Sequence, residues 1–247
     1  MKRKTKILTG VIVGLVCLIG IVCAGIYISY KKSLEVERPG EDYDQIYTDE
    51  QNVKEVIEPV SKGGITVTFS QLSNEKSLFN QFPFLKVCQQ DVTASSVKIK
   101  EMEEFAGLSL EKHFQGYTQA FPKKHKIEQT GTGYDFQLQN KEGLGEEVYV
   151  LVMDRELFDR LPEGGQTTIG EVPVKIFYTH NKRTNIEEKR TVDQYLYEAV
   201  FVKEGVTFYV QINFSGFDYA VNMIDTTKEA TSEKVADILT TIVKERG

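Results

Sequence analysis

His113, His125 and His180 are the side chains in this chain best suited to proton transfer or metal ligation near neutral pH. They are scattered, form no HExxH pattern and have no cysteine pair beside them, so a shared zinc site is not expected. Glu146-Glu147 and Asp154 with Glu156 offer carboxylate pairs of the kind that flank a glycosidic bond. Nothing in their context fixes a separation, and the chain has no Trp to stack against a sugar ring. Gly131-Thr132-Gly133 lies in QTGTGYDF, but a phosphate cradle needs a strand before it and a helix after it. A strand pattern follows these glycines instead, and a turn or bulge is expected. There is no GxSxG elbow; a triad assembled only in space stays open. The expectation is a non-enzyme with no catalytic residue, metal or cofactor, a surface hydrolase using dispersed carboxylates being one alternative.

The aromatic side chains point to a different chemistry. Tyr195, Tyr197, Phe201, Phe208, Tyr209 and Phe214 fall on two successive β-rich arms and can line a concave sheet that holds an apolar ligand. The plainer account is a core face with cross-strand pairs. An apolar-ligand carrier or sensor is thus a second alternative.

The elements that must position these residues are legible from Gly63 onward. GGITVTFS (63–70) and TASSVKIKEM (93–102) read as strands, YDFQLQN (134–140) alternates cleanly, and VYVLVMD (148–154) is strongly apolar. SLEKHFQGYTQA (109–120) reads as a helix capped by Ser109 and stopped by Pro122, and DRELFDRL (154–161) as a short one. VPVKIFYTH (172–180) is a further strand. YLYEAVFVKEGVTFYVQINF (195–214) is a hairpin around a three-residue loop, Lys203-Glu204-Gly205. In TSEKVADILTTIVKER, Val235, Ile238, Leu239, Ile242 and Val243 form one helical stripe with Thr231 or Ser232 as cap. The fold class predicted is α+β: an antiparallel sheet with its helices, the C-terminal one included, on one face.

Ahead of this domain, residues 7–30 run 24 positions without a charged side chain. As a helix they span roughly 36 Å, enough to cross a hydrocarbon core of about 30 Å. Lys2, Arg3, Lys4 and Lys6 precede the run against Lys31 and Lys32 after it, which keeps the tail cytoplasmic and sends the rest outward. A cleaved signal peptide shares the basic start and a small-residue site at Val22-Cys23-Ala24, but the length favours a retained anchor. The predicted organisation is a cytoplasmic tail (1–6), a transmembrane helix (7–30), an acidic flexible stalk (31–62) and an extracytoplasmic α+β domain (63–247).

Beyond residue 32 the chain carries 24 basic and 36 acidic residues, a formal charge of −12. Such a surface repels phosphate backbones, so nucleic acid is excluded as a partner. Cys88 is the single cysteine beyond the apolar run, so no intramolecular disulfide can staple the domain, and its apolar neighbours place it in the interior. The acids of EDYDQIYTDE (41–50) lack the alternating ligands and central glycine of a calcium loop.

From Thr167 to the end, TIGEVPVKIFYTH, then the 195–214 hairpin, then TSEKVADILTTIV resemble an uncharacterised domain of Gram-positive extracytoplasmic proteins. Some members hang from anti-sigma-type membrane anchors. The likeness covers about 80 residues. It implies an α+β sheet domain outside the cell that binds or senses. The six residues before the apolar run are too few for a cytoplasmic sigma-binding domain. Together these features predict a single-pass, cell-surface interaction or sensing protein with the membrane and an unidentified protein as partners.

Overall fold

The sequence of apolar residues calls for a sheet, and the computed structural model contains a large one. It describes residues 47–72, 77–90, 95–119, 122–127, 131–141, 146–186, 189–214 and 227–244. Strands β1 (Tyr47–Glu50), β2 (Val60–Lys62), β3 (Ile65–Val67) and β4 (Ser70–Gln71) come first. Helices α1 (Leu78–Gln81) and α2 (Pro83–Gln90) follow, then β5 (Ser95–Ser96), α3 (Ile99–Ala106) and α4 (Leu110–His113). Next are β6 (Tyr117–Gln119), β7 (Lys123–Ile127), β8 (Gly131–Asn140) and β9 (Glu146–Met153). A 3-10 turn (Phe158–Arg160) leads to β10 (Gln166–Ile169), β11 (Val172–Asn185), β12 (Arg190–Lys203), β13 (Val206–Phe214) and α5 (Lys228–Lys244).

The sheet is almost wholly antiparallel, in the order β1-β11-β12-β13-β9-β8-β7-β5, with β10 and β4 also on β11 and β6 on β8. Strand β4 pairs in parallel, matching Phe177 and Tyr178 to Ser70 and Gln71. The α+β class therefore holds at the level of a mainly antiparallel sheet with helices.

The helices, however, lie on both faces, not one. Val148, Val150 and Val152 of β9 point into a core shared with α3, α4 and α5, whereas Tyr149, Leu151 and Met153 point into a second core under α1 and α2. A strand that is apolar at every position has two faces to hide, and the uninterrupted VYVLVM run is the sign of that. Cys88 is buried in the second core, as its neighbours suggested.

Other elements depart from expectation for local reasons. Residues 99–106 form a helix, not a strand, because Met102 and Ala106 are buried one turn apart and Gly107 closes the helix at φ 62°. The helix begun at Ser109 ends by His113, and Tyr117–Gln119 turns away to pair with β8. Residues 154–161 supply only the 3-10 turn. In α5 the stripe is buried as read, but the cap lies a turn earlier, where Thr227 Oγ1 accepts from Ala230 N at 3.2 Å.

The boundary expected at residue 63 is also corrected. Thr48 onward belongs to the folded unit, and Ile57 is a core residue. The acidic look of 48–62 reflects polar partners on the sheet, not a free stalk. The predicted tail (1–6), the apolar run (7–30) and residues 31–46 lie outside the described residues. Among the described residues no helix is long and apolar enough to cross a membrane.

Two positions show how the backbone limits side-chain choice. Gly165 has φ 60°, and a Cβ there would lie 2.2 Å from the carbonyl oxygen of Ile176. The β12–β13 hairpin closes on two residues, not three: Lys203 pairs with Val206, and Glu204 and Gly205 take φ 51° and 85°. A two-residue turn with both φ positive is type I′, which suits Asn far better than Glu. Gly165→Ala should therefore cost about 3 kcal/mol, while Glu204→Asn should gain up to about 1 kcal/mol. Thermal melts check both, with Tm falling by roughly 6–12 °C and rising by roughly 2–4 °C in a domain of this size.

Candidate functional site

The six aromatic residues read as a ligand face are all buried. Alternation along β12 and β13 sends Tyr195, Tyr197, Phe201, Phe208 and Phe214 into the α5-side core, and Tyr209 into the other. Phe201 stacks on Phe208 at 4.8 Å, Tyr197 meets Phe214 edge-on at 6.0 Å, and the Tyr197 hydroxyl reaches Thr231 Oγ1 at 2.9 Å. They serve as packing between the sheet and its helices, on two faces rather than one.

The three histidines occupy three separate places. Among the described residues no group of His, Cys, Asp and Glu is arranged to hold a metal ion. His113 lies against the Ser109 backbone at the end of α4. His125 on β7 is buried with Nε2 3.1 Å from Asp135 Oδ1. Close to that pair, burial and then the neighbouring Asp135 and Cys88 push the Tyr149 hydroxyl well above its ordinary range.

His180 is the most elaborated. Val174, Ile176, Tyr178 and His180 follow at every second position of β11, so the strand period places the imidazole on the core face, 1% exposed. It stacks on Tyr195, its cross-strand partner, at 4.5 Å and 10° between planes. Nε2 lies 2.7 Å from Asp193 Oδ1 and Nδ1 lies 3.0 Å from Glu55 Oε2. The Nδ1 contact is close in distance but poorly aligned for a hydrogen bond. Glu55 also accepts from the Tyr195 hydroxyl at 2.9 Å and pairs with Lys228 Nζ at 3.4 Å, while its backbone carbonyl accepts from Tyr178.

This cluster clamps the 48–58 segment onto β11. Val53 N donates to the His180 carbonyl at 2.8 Å, Asn52 N to Asn181 Oδ1 at 3.0 Å, and Arg183 grips Asp49 at 2.6 and 2.8 Å. Sequence reasoning missed it because Glu55 read as stalk. The period-2 placement of His180 beside three core residues was the available signal.

The carboxylates considered for glycosyl chemistry do not meet. Glu146, at the start of β9, accepts from Tyr117 and, at 3.1 Å, from Asn140. Asp154 lies just past the end of β9, where its Oδ1 accepts from Thr132 N at 2.8 Å. Eight residues of extended chain put the two pairs roughly 26 Å apart at opposite ends of β9, and within the first pair Glu146 is buried while its neighbour Glu147 is exposed on the other face of the strand. Gly131 and Gly133 lie in β8, where the missing Cβ of Gly133 makes room for Ile127.

Two grooves flank the β2–β3 hairpin along α5. One, of about 290 Å³, runs between residues 57–61 and the start of α5 (Lys228, Glu229, Ser232, Glu233). The other, of about 160 Å³, lies between Val60, Lys62, Ile65 and Val67 and the later turns of α5 (Ala236, Asp237, Thr240, Lys244). Lys62 bridges hairpin to helix through Asp237 at 2.7 Å. None of the six aromatics lines either groove.

No protein-family model, curated protein or solved structure matches the chain.

Burial opposes ionisation of Glu55, but the Tyr195 hydroxyl, His180 and Lys228 outweigh it and hold the carboxyl below its ordinary value of 4.5. A group lowered in the folded state adds stability that is full above its unfolded pKa and is lost as pH falls through the folded one. Asp49, lowered by Arg183, acts in the same direction. Denaturation curves should thus show stability declining below about pH 4.5, and Glu55→Gln should flatten part of that decline. At pH 7 the variant should lose about 1–3 kcal/mol with the charged hydrogen bonds.

Proposed function

We propose that this chain is a single-pass membrane protein whose α+β domain lies outside the cytoplasm and works by protein interaction or sensing at the cell surface. The observation that carries this reading is the uncharged run at 7–30, placed just ahead of a folded unit that begins at Thr48. Only residues 31–47 separate them, and fully extended they reach about 60 Å at most. A domain on so short a lead meets membrane-proximal partners at a high effective concentration.

The geometry supports binding over catalysis. His180 is 1% exposed and stacked under Tyr195, with its ring nitrogens beside Asp193 and Glu55, so a substrate has no open path to the imidazole. His125 is buried beside Asp135 inside the sheet, and two carboxylates of the hydrolase alternative, Glu146 and Asp154, are held by separate partners. The apolar-ligand alternative loses support because five of its aromatic rings are buried in the core under α5 and the sixth, Tyr209, in the core on the other face. The surface grooves along α5 are available to a partner. A resemblance of the C-terminal 80 residues to extracytoplasmic domains agrees with the same placement.

Protease added to intact cells should remove the domain from about residue 48 onward while the apolar run stays with the membrane fraction, read with antibodies to each end. Full protection of the domain in intact cells, with cleavage only after lysis, would reverse the assigned orientation.

A further inference from the structure

We infer that the groove between β2 and the first turns of α5 receives a short, extended, lysine- or arginine-bearing segment of a protein partner, added as a strand to the edge of β2 that no described strand pairs. This rests on the surface-interaction reading and names the surface and the partner chemistry.

The β2–β3 hairpin forms a two-stranded sheet of its own. Its loop is two residues, Gly63 and Gly64, with φ 58° and 76°, so the flanking pair Lys62↔Ile65 is the narrow hydrogen-bonded pair. Pairs alternate in an antiparallel ladder, which makes Ser61↔Thr66 the non-hydrogen-bonded pair. The 2.9 Å contact between Ser61 Oγ and Thr66 Oγ1 is the close side-chain approach such a pair has. The backbone N–H and C=O of Ser61 therefore point away from β3. Ser61 is exposed and lines the groove beside α5. An outward N–H and C=O on one residue are the two groups an incoming antiparallel strand engages.

The groove's charge selects the strand. Glu58, Glu229 and Glu233 are exposed along it. The two nearby lysines make their ion pairs outside the three carboxylates, Lys228 with Glu55 at 3.4 Å and Lys62 with Asp237 at 2.7 Å, though Lys62 also feels the charge of Glu233. Ile57 forms an apolar floor, and Val56, 72% exposed, stands beside it. The volume of about 290 Å³ suits a side chain or two rather than a folded element. Pro59 has no N–H, so the edge accepts only a brief partner centred opposite Ser61. Basic side chains at alternate positions would lie along the carboxylates while the backbone pairs with Ser61.

The test is fluorescence anisotropy of a labelled heptapeptide of alternating lysine and valine on the full chain in zwitterionic phosphatidylcholine nanodiscs, with empty nanodiscs as blank. A glutamate–valine peptide is the charge control. Saturable binding of the lysine peptide alone is expected, weakened about tenfold or more by Ser61→Pro and by the triple reversal Glu58→Lys, Glu229→Lys and Glu233→Lys. Ser61→Pro leaves the hairpin's backbone hydrogen bonds intact, since the N–H it removes points outward, and gives up the Ser61–Thr66 side-chain contact, which Ser61→Ala controls for. Should the proline variant melt early, amide exchange at Ser61 in the native chain decides: added peptide must slow it. No saturable binding overturns the inference. Binding lost on charge reversal but indifferent to Ser61→Pro, without slowed exchange, also overturns it and leaves only surface attraction. The whole-cell proteolysis assay reads tether and exposure independently of this groove, so the broader reading can stand where the peptide fails.

Discussion

Water must be kept from both faces of one sheet, and most of this structure follows from that. The strands β11, β12, β13 and β9 carry apolar side chains upward and downward, giving two cores separated by a single backbone layer. One face is closed by α5 with α3 and α4, the other by α1, α2 and the 3-10 turn. At about 25 cal/mol for each Å² removed from water, neither core can be left open without loss larger than the net stability of a typical domain. The helices are short for the same reason. Each covers a patch of sheet, and only α5, with 17 residues, runs the length of a core.

Two ionisable groups inside these cores are matched to partners that fix register. Glu198 is fully buried on β12, accepting from Tyr209 Oη at 2.8 Å and from Leu78 N at 3.1 Å, so the carboxylate locks α1 and β13 to the same strand. Burial first, then Glu198, raises the Tyr209 hydroxyl well above its usual range, which keeps it a donor. Lys203 reaches the carbonyl of Ile242 at 3.1 Å, placing a cation on the negative end of α5. A slip of one residue in β12 would turn Glu198 and Lys203 to the wrong faces together with every aromatic. An unpaired buried charge costs several kcal/mol, so these groups penalise wrong pairings more than they strengthen the right one.

Periodicity reveals such a fold wherever one residue type alternates with another. The α5 stripe and the β12–β13 hairpin were legible because apolar and polar positions recur at 3.6 or 2 residues, and the burial of Cys88 because its chain neighbours are apolar. Residues 99–106 were not, since Val97 and Ile99 alternate like a strand while the deciding Met102–Ala106 spacing and Gly107 stop lie just beyond. The 48–58 segment was illegible for a different reason. Its attachment is polar, made of Asp49, Asn52, Glu55 and backbone amides, and composition alone cannot distinguish acids that face water from acids that face Arg183, His180 and Lys228. The aromatic residues of the expected ligand face were seen as a group, but their distribution over two cores depended on three-dimensional register.

The treatment of strand edges shows where the surface is left open. The outer edge of β11 is a long row of backbone groups, and it is filled in sections by β10, β4 and β1. The outer edge of β8 is divided likewise between β7 and β6. Unpaired edges are templates for unwanted association, so covering the long ones with fragments is what solubility demands. The 48–62 region supplies β1 to this cover and then departs to form β2, whose far edge stays uncovered among the described residues. An edge of three residues bounded by Pro59 and Lys62 is too short to nucleate aggregation, yet it retains one outward-facing pair of backbone groups. The clamp at Glu55 and the bridge from Lys62 to Asp237 hold that edge at a fixed distance from α5. The same polar contacts that dock the start of the domain therefore set the width of the groove beside it.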